Sequence, residues 1–195
     1  MVSATLKRPR LSLPEYLTLC VTQFKRHWIA FVVPLAALLV LQIFIRIDVN
    51  YTESLPDHVF ITVKGWKSGL QRGDYVAYTF PTDNDVSLFR KGDHMVKIVR
   101  GVGGDRVERK ENGHFAIHVE NITASAVDSQ LELNSIGIAK PFSKAGKALV
   151  PGPEGVIPKG SYYVYAPHTD SLDSRYAIVG WINDEHIIGR TFPIF

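Results

Sequence analysis

Ser54, a serine close to a long apolar segment, is a candidate for catalytic chemistry in this sequence. The stretch "NYTESLP" at 50–56 places Thr52 and Ser54 two residues apart, just before Pro56. Most such hydroxyls are solvated or cap a turn. A serine hydroxyl is a weak nucleophile unless a neighbouring base removes its proton. A catalytic role for Ser54 therefore requires a base elsewhere in the chain.

Lys97 is a candidate for that base. It lies in "HMVKIVRGV" at 94–102, where strand alternation places Met95, Lys97 and Val99 on one face. One interpretation is a lysine whose ammonium group extends to water past apolar neighbours. The other is a buried lysine, whose pKa can fall by up to about 3–5 units from about 10.4. A neutral amine of this kind is a useful base near neutral pH.

A third polar cluster lies in "HTDSLDSRYAIVG" at 168–180. It contains Ser171, Asp173 and Arg175 within five positions. One interpretation is a polar surface turn with an Asp–Arg pair, which contributes about 0–1 kcal/mol when exposed. The alternative is a set of side chains that supports an active site.

Other classes of site are poorly represented. Cys20 is the one cysteine, and the seven histidines are scattered, so no zinc-like spacing is present. His114 and His118 share a face of a predicted strand without a third ligand. The segment "GVGGDR" lacks the Gly-Lys-Ser/Thr ending of a phosphate loop. The formal charge of +3 and the absence of a basic patch with aromatics argue against nucleic-acid binding. We expect no cofactor, no metal and no nucleic-acid partner.

The elements that position these residues begin with a membrane anchor. Residues 28–45, "WIAFVVPLAALLVLQIFI", carry no charge, and as a helix they would span about 27 Å, close to the hydrocarbon core of a bilayer. Pro34 is tolerated in a membrane span, and Trp28 suits the interface. A cleavable signal peptide would have a shorter apolar region of about 7–15 residues and a small-x-small cleavage site. The pattern favours an uncleaved signal anchor.

Flanking charge predicts the orientation of that anchor. Basic residues dominate before the span, at Lys7, Arg8, Arg10, Lys25 and Arg26, whereas Arg46 after it is accompanied by Asp48, Glu53 and Asp57. Positive charge stays inside, so residues 1–27 are predicted to be cytoplasmic and 46–195 periplasmic. Leu13, Leu17 and Phe24 recur at helical spacing, which indicates either an amphipathic interfacial helix or a short cytosolic helix.

The remaining chain predicts one mostly β domain. Runs rich in Val, Ile, Tyr and Phe alternate with turn residues, and the "ENG" at 111–113 between two such runs indicates a hairpin. Glycines and prolines concentrate at 134–160, which predicts an excursion dominated by loops. The length of 195 residues is sufficient for one such domain and an anchor.

The ordered motifs resemble those of the type I signal peptidases, membrane-anchored enzymes with a serine and a lysine as the catalytic pair. The motifs are Ser54 after the anchor, "KIVRGVGGDRV" at 97–107 and "SLDSRY" at 171–176, with "RGDYVAY" at 72–78 resembling a further family strand. The spacing around Ser54 is most similar to the branch that matures conjugative pilins, "N-x-T-x-S-x-P-x-G". Asn50, Thr52, Ser54 and Pro56 agree with it, while His58 replaces the glycine.

The resemblance implies roles for six residues. Ser54 would be the nucleophile and neutral Lys97 the general base, a variant of the catalytic triad in which lysine replaces histidine. The Thr52 hydroxyl and the Ser54 backbone N–H would form the oxyanion hole. Ser171 would orient the lysine amine, and Asp173 and Arg175 would form a supporting ion pair.

The implied function is cleavage of exported precursors that are still held in the membrane. The resemblance favours maturation of a conjugative pilin, either by hydrolysis or by cyclisation through an acyl-enzyme. The expected partners are an exported precursor, membrane lipid and components of a conjugation apparatus. Two alternatives remain: a general leader peptidase that only hydrolyses, and a non-enzymatic anchored β domain that scaffolds an envelope complex.

Overall fold

The computed structural model describes residues 12–50, 54–83, 87–119 and 136–194. Contacts within the chain separate two units, Met1–Ile43 and Phe44–Phe195. The first contains most of one helix, α1 (Leu13–Phe44), which includes Pro34 and leaves helical backbone geometry at His27. By length and composition, α1 could cross a membrane. The helix ends one residue before the predicted span does, because Ile45 already pairs with a neighbouring strand.

The described residues of the second unit form eleven strands. They are β1 (Ile45–Val49), β2 (Val59–Lys64), β3 (Tyr75–Thr79), β4 (His94–Val102), β5 (Arg106–Arg109), β6 (His114–His118), β7 (Gly137–Ile138), β8 (Gly155–Val156), β9 (Ser161–Tyr165), β10 (Ile182–Asn183) and β11 (Ile187–Pro193). Seven form an antiparallel sheet in the order β1-β2-β11-β3-β4-β9-β10, and four form a smaller sheet in the order β7-β6-β5-β8. The prediction of a mostly β domain is confirmed.

Short-range pairing follows the sequence pattern closely. β5 and β6 form the hairpin predicted from "ENG", with Arg109 opposite Phe115. The predicted excursion at 134–160 is dominated by loops in its described part, from residue 136 onward, and it contributes the two-residue strands β7 and β8 to the smaller sheet. It also contains a tight hairpin in which Phe142 and Ala148 pair.

Among the described residues, three buried clusters stabilise the unit. The largest packs side chains of β3, β4, β9 and the 178–187 segment, including Tyr78, Phe80, Met95 and Val99. A second lies against the smaller sheet around Phe115 and Tyr163. The third joins Leu55, Phe60, Ile98 and Ala166. The third cluster matters for the site because Leu55 adjoins Ser54, so burial of one side chain restrains the other.

Candidate active site

Ser54 and Lys97 are brought together by the fold. Lys97 Nζ donates a hydrogen bond to Ser54 Oγ at 2.9 Å, across 43 positions of sequence. Both residues are buried, with 6% of Ser54 and 3% of Lys97 exposed. A serine hydroxyl within hydrogen-bond reach of an amine is the arrangement that a general base needs to remove the hydroxyl proton.

The long strand β4 holds Lys97 in an apolar environment. Its backbone pairs with Val76 of β3, and Met95 and Val99 on the same face are core residues. The lysine is therefore buried and does not extend to water. Desolvation lowers the pKa of Lys97 to about 8; the charge of Asp173 opposes this effect and that of Arg175 adds to it. A substantial fraction of the amine is thus neutral near physiological pH.

Ser54 lies in the loop 50–58, which connects β1 to β2. The loop closes with a hydrogen bond from the Asn50 backbone N–H to the His58 carbonyl, at 2.8 Å. His58, which stands where the pilin-maturing pattern has a glycine, contributes to this bond only a backbone carbonyl, a group that every residue has. Thr52, the predicted second oxyanion donor, lies outside the described residues.

Asp173 and Arg175 form the ion pair that the resemblance implies. Arg175 Nε and Nη2 each lie 2.8 Å from a different oxygen of the Asp173 carboxylate. Asp173 is fully buried and Arg175 nearly so. The same carboxylate accepts a backbone hydrogen bond from Ala166 at 3.2 Å, and the guanidinium lies 5.0 Å from the centre of the Tyr165 ring. The pair therefore attaches the 171–175 segment firmly to the end of β9.

Ser171 is buried near this pair, but it does not make the contact with the Lys97 amine that the resemblance predicts. Its Oγ has no hydrogen-bond partner among the residues that the structure describes. The bond from the Ser171 hydroxyl to the Lys97 amine, expected from the resemblance, is not formed in this structure. A role for Ser171 in orienting that amine stays a prediction.

Two supporting features were not identified from the sequence. Gly152 donates its backbone N–H to the Arg175 carbonyl at 2.7 Å, and a Cβ at Gly152 would overlap the Ser174 carbonyl oxygen. The second feature is Asp48, a buried carboxylate on β1 that accepts hydrogen bonds from Arg46 Nε and Thr62 Oγ1, both at 2.6 Å. The "IRIDV" alternation at 45–49 would place Asp48 on the polar, outward face, whereas in the structure Asp48 is buried and Ile47 is exposed; the sequence pattern therefore gave no signal for this residue.

A cleft of about 690 Å³ opens beside the Ser54–Lys97 contact. One wall is β1 with Asn50, and the other is the start of β4 with the turn before it; Phe89 also lines the cleft. In the described chain, β1 pairs with β2 alone. β4 begins to pair with β9 only at Ile98. Both walls thus offer unpaired backbone edges to an extended peptide.

No group of three or more metal-ligating side chains occurs within the described parts of the chain. His118 Nε2 lies 3.0 Å from Glu108 Oε2 on the neighbouring strand. The cleft presents the Ser54 hydroxyl next to the buried Lys97 amine, and the Asp173–Arg175 ion pair is buried in the same domain.

Most of the chain matches a known protein family. The model of a family described as signal peptidase, peptidase S26, matches residues 23–195. No curated protein matches the sequence significantly. Among solved structures, a signal peptidase I from Enterococcus faecalis V583 is similar, at 21% identity and a TM-score of 0.34, over 62% of this chain and 94% of that one. The family match includes all six residues of the predicted site.

Proposed function

The chain belongs to the signal peptidase family, peptidase S26, and we propose that it is a membrane-anchored serine endopeptidase that uses Ser54 and Lys97 to cleave exported precursors. The observation that carries this proposal is the 2.9 Å contact between Lys97 Nζ and Ser54 Oγ at the edge of an open cleft. A non-enzymatic scaffold has no need for a desolvated lysine against a serine.

The proposed reaction has two steps. The neutral Lys97 amine takes the proton of Ser54 Oγ as this oxygen attacks the scissile carbonyl, and the new ammonium then protonates the leaving amine. The ester that remains on Ser54 is attacked either by water or by an amine, with Lys97 again as the base. The Ser54 N–H and the Thr52 hydroxyl are proposed as the oxyanion donors, each of which typically contributes about 2.7–4 kcal/mol to transition-state stabilisation.

The proposed substrate is an extended peptide that still has a membrane segment. The unpaired edges of β1 and of the first half of β4 support an extended conformation, because backbone hydrogen bonds on both walls would align the scissile carbonyl with Ser54. Small enzymes gain most of their rate from such positioning together with charge stabilisation.

A membrane-proximal site is supported by the outer face of β1, β2 and β11. Ile47, Ile61 and Phe192 stand side by side on these strands, and Ile47 and Phe192 are exposed. Trp66 extends the row, since its ring lies 5.9 Å from that of Phe192. An apolar face with an exposed tryptophan suits the interface of a bilayer, and β1 follows α1 without a linker.

The proposed topology has a cytoplasmic segment 1–27, a single span at 28–45 and a periplasmic domain at 46–195. The charge asymmetry around the span supports it. A reporter that is active only in the periplasm should be active when fused after Phe195 and inactive when fused near Lys25. The reverse pattern would overturn the orientation.

Within the family, we propose maturation of a conjugative pilin, on the basis of the pattern formed by Asn50, Thr52, Ser54 and Pro56. Coexpression with a candidate pilin tests both the substrate and the outcome. A product lighter by one water than the linear mature peptide indicates that the substrate's own amine resolves the acyl-enzyme, and a linear product indicates hydrolysis. An unprocessed pilin, with a general signal-peptide precursor cleaved instead, would favour the leader-peptidase alternative.

The nucleophile is tested by Ser54→Ala, which should abolish maturation while the protein still accumulates in the membrane. Ser68→Ala is a matched control, because Ser68 is exposed in a turn of the same domain. Maturation at the native rate by the Ser54→Ala variant would remove Ser54 from the mechanism.

A further inference from the structure

The side chain of Asn50 spans the loop that holds Ser54. Its Nδ2 lies 3.4 Å from the Leu55 carbonyl oxygen and 3.3 Å from that of Asp57. A primary amide has two N–H donors, so one side chain reaches the carbonyls on both sides of Pro56. The backbone N–H of Asn50 meanwhile closes the loop on the His58 carbonyl at 2.8 Å.

The other contacts described for the segment after Ser54 include those of side chains, such as the Tyr75 hydroxyl, which lies 3.5 Å from an Asp57 carboxylate oxygen. Pro56 has no N–H to donate. Leu55 restrains the segment through its side chain, which is buried with Phe60, Ile98 and Ala166. That contact fixes the depth of the loop, but packing of one apolar side chain does not fix the rotation of the peptide planes on either side of it.

Resting on the proposed function, we propose that Asn50 is a positioning residue for the nucleophile. Its amide holds the peptide planes of Leu55 and Asp57, and thereby keeps the adjacent Ser54 Oγ 2.9 Å from Lys97 Nζ. Asn50 acts through Ser54, and its effect should appear in the rate of the chemical step.

The test uses the full chain in detergent with a peptide that spans a cleavage site. Asn50→Ala removes both donors, and a misplacement of about 1 Å at reacting atoms can lower the rate roughly 100-fold. We therefore expect kcat to fall by about 10- to 100-fold, with KM nearly unchanged. Asn50→Asp keeps the shape but points a carboxylate at two carbonyl oxygens, so its kcat should fall further.

Two further measurements separate positioning from folding. The inflection of the pH–rate profile should stay where the native enzyme has it in Asn50→Ala, because the core residues Met95 and Val99 flank Lys97 and the charges that act on its pKa are those of Asp173 and Arg175. The melting temperature should also stay close to the native value. Asn112→Ala is a matched control: Asn112 accepts a backbone hydrogen bond from His114 in the turn between β5 and β6, and its loss should leave kcat unchanged.

The outcomes distinguish this inference from the proposed function. An active Ser54→Ala variant would remove the proposed function and this inference with it. An inactive Ser54→Ala variant together with a native kcat in Asn50→Ala would overturn the inference alone. A loss of kcat that merely follows the loss of folded protein in both Asn50 variants would also overturn it, since it would assign Asn50 a structural role.

Discussion

Two buried charge-bearing features of the β domain are stabilised in opposite ways. Lys97 is surrounded by apolar side chains and has a neutral hydroxyl as its hydrogen-bond partner, so desolvation dominates and its pKa falls to about 8. Asp173 and Arg175 are equally buried, but each charge has the other as a bidentate partner, together with backbone groups. Desolvation acts to lower the pKa of Arg175, but the hydrogen bond and the negative charge of Asp173, with smaller contributions from Tyr176 and Tyr165, together outweigh it, and the pKa of Arg175 is raised.

Each of these two arrangements suits a different role. A buried base must be easy to deprotonate, so it must lack a carboxylate in direct contact. A buried ion pair must keep both charges, so it gains rigidity and loses reactivity. Asp173 acts in both features: it is the partner of Arg175, and its charge also limits the fall of the Lys97 pKa. Variants that alter either arrangement test this contrast.

Lys97→Arg should lower kcat/KM by roughly 10²- to 10⁴-fold, the usual contribution of a general base. A guanidinium stays protonated at any working pH and cannot accept the Ser54 proton. The measurement is cleavage of a peptide substrate by the purified full chain in detergent. Near-native activity of this variant would remove Lys97 from the mechanism.

Asp173→Ala should destabilise the domain by about 3–5 kcal/mol, because it leaves the buried Arg175 guanidinium without its counter-ion. The measurement is the free energy of unfolding in denaturant. The control is Glu154→Gln, which breaks the exposed pair with Arg109 at 3.4 Å and should cost only about 0–1 kcal/mol. Equal losses of unfolding free energy in the two variants would mean that the buried ion pair contributes no more to stability than the exposed one.

Lys97→Met should be stabilising relative to the native chain at pH 7, and the advantage should shrink as the pH rises. Below about pH 8 the folded native chain carries a buried ammonium. Between about 8 and the ordinary value of 10.5, the unfolded chain binds a proton that the folded chain does not, so native stability rises with pH. The change over this window is on the order of 3 kcal/mol. Unfolding free energies of both proteins at pH 7 and pH 10 measure it; a constant difference would mean that Lys97 is not desolvated.

The pH–rate profile of the native enzyme should rise with pH through an inflection near the Lys97 pKa of about 8. Because only the neutral amine acts as the base, kcat/KM should fall by about tenfold per pH unit below that inflection. Removing the Asp173 charge with Asp173→Asn should move the inflection to lower pH, since this charge raises the pKa of Lys97. An unmoved inflection would mean that the ion pair and the base are electrostatically independent.

Much of the fold could be predicted from local patterns. Alternation and turn residues identified the β5–β6 hairpin and the strand that carries Lys97, because both depend on neighbours in sequence. The uncharged run at 28–45 likewise indicated the long helix. Short strands such as β7 and β8 could not be found in this way, since two residues carry no periodicity and are strands only through their partners.

The candidate site could also be predicted only in part: its residue types could be read from the sequence, but their contacts could not. The order of Ser54, Lys97 and the 171–175 segment was readable from the sequence, and so was the chemical possibility that each side chain carries. Whether Lys97 reaches water or Ser54 depended on β3 and the buried core on both sides of β4, which are distant in sequence. The importance of Asp48 was likewise hidden, because its carboxylate is satisfied by Thr62, which in turn bonds Thr191, 129 positions further along. Residue type is a local property, whereas desolvation and hydrogen bonding depend on the groups that the fold brings close. The sequence therefore shows which reactive side chains are available, and the fold sets which of them lies desolvated beside a serine.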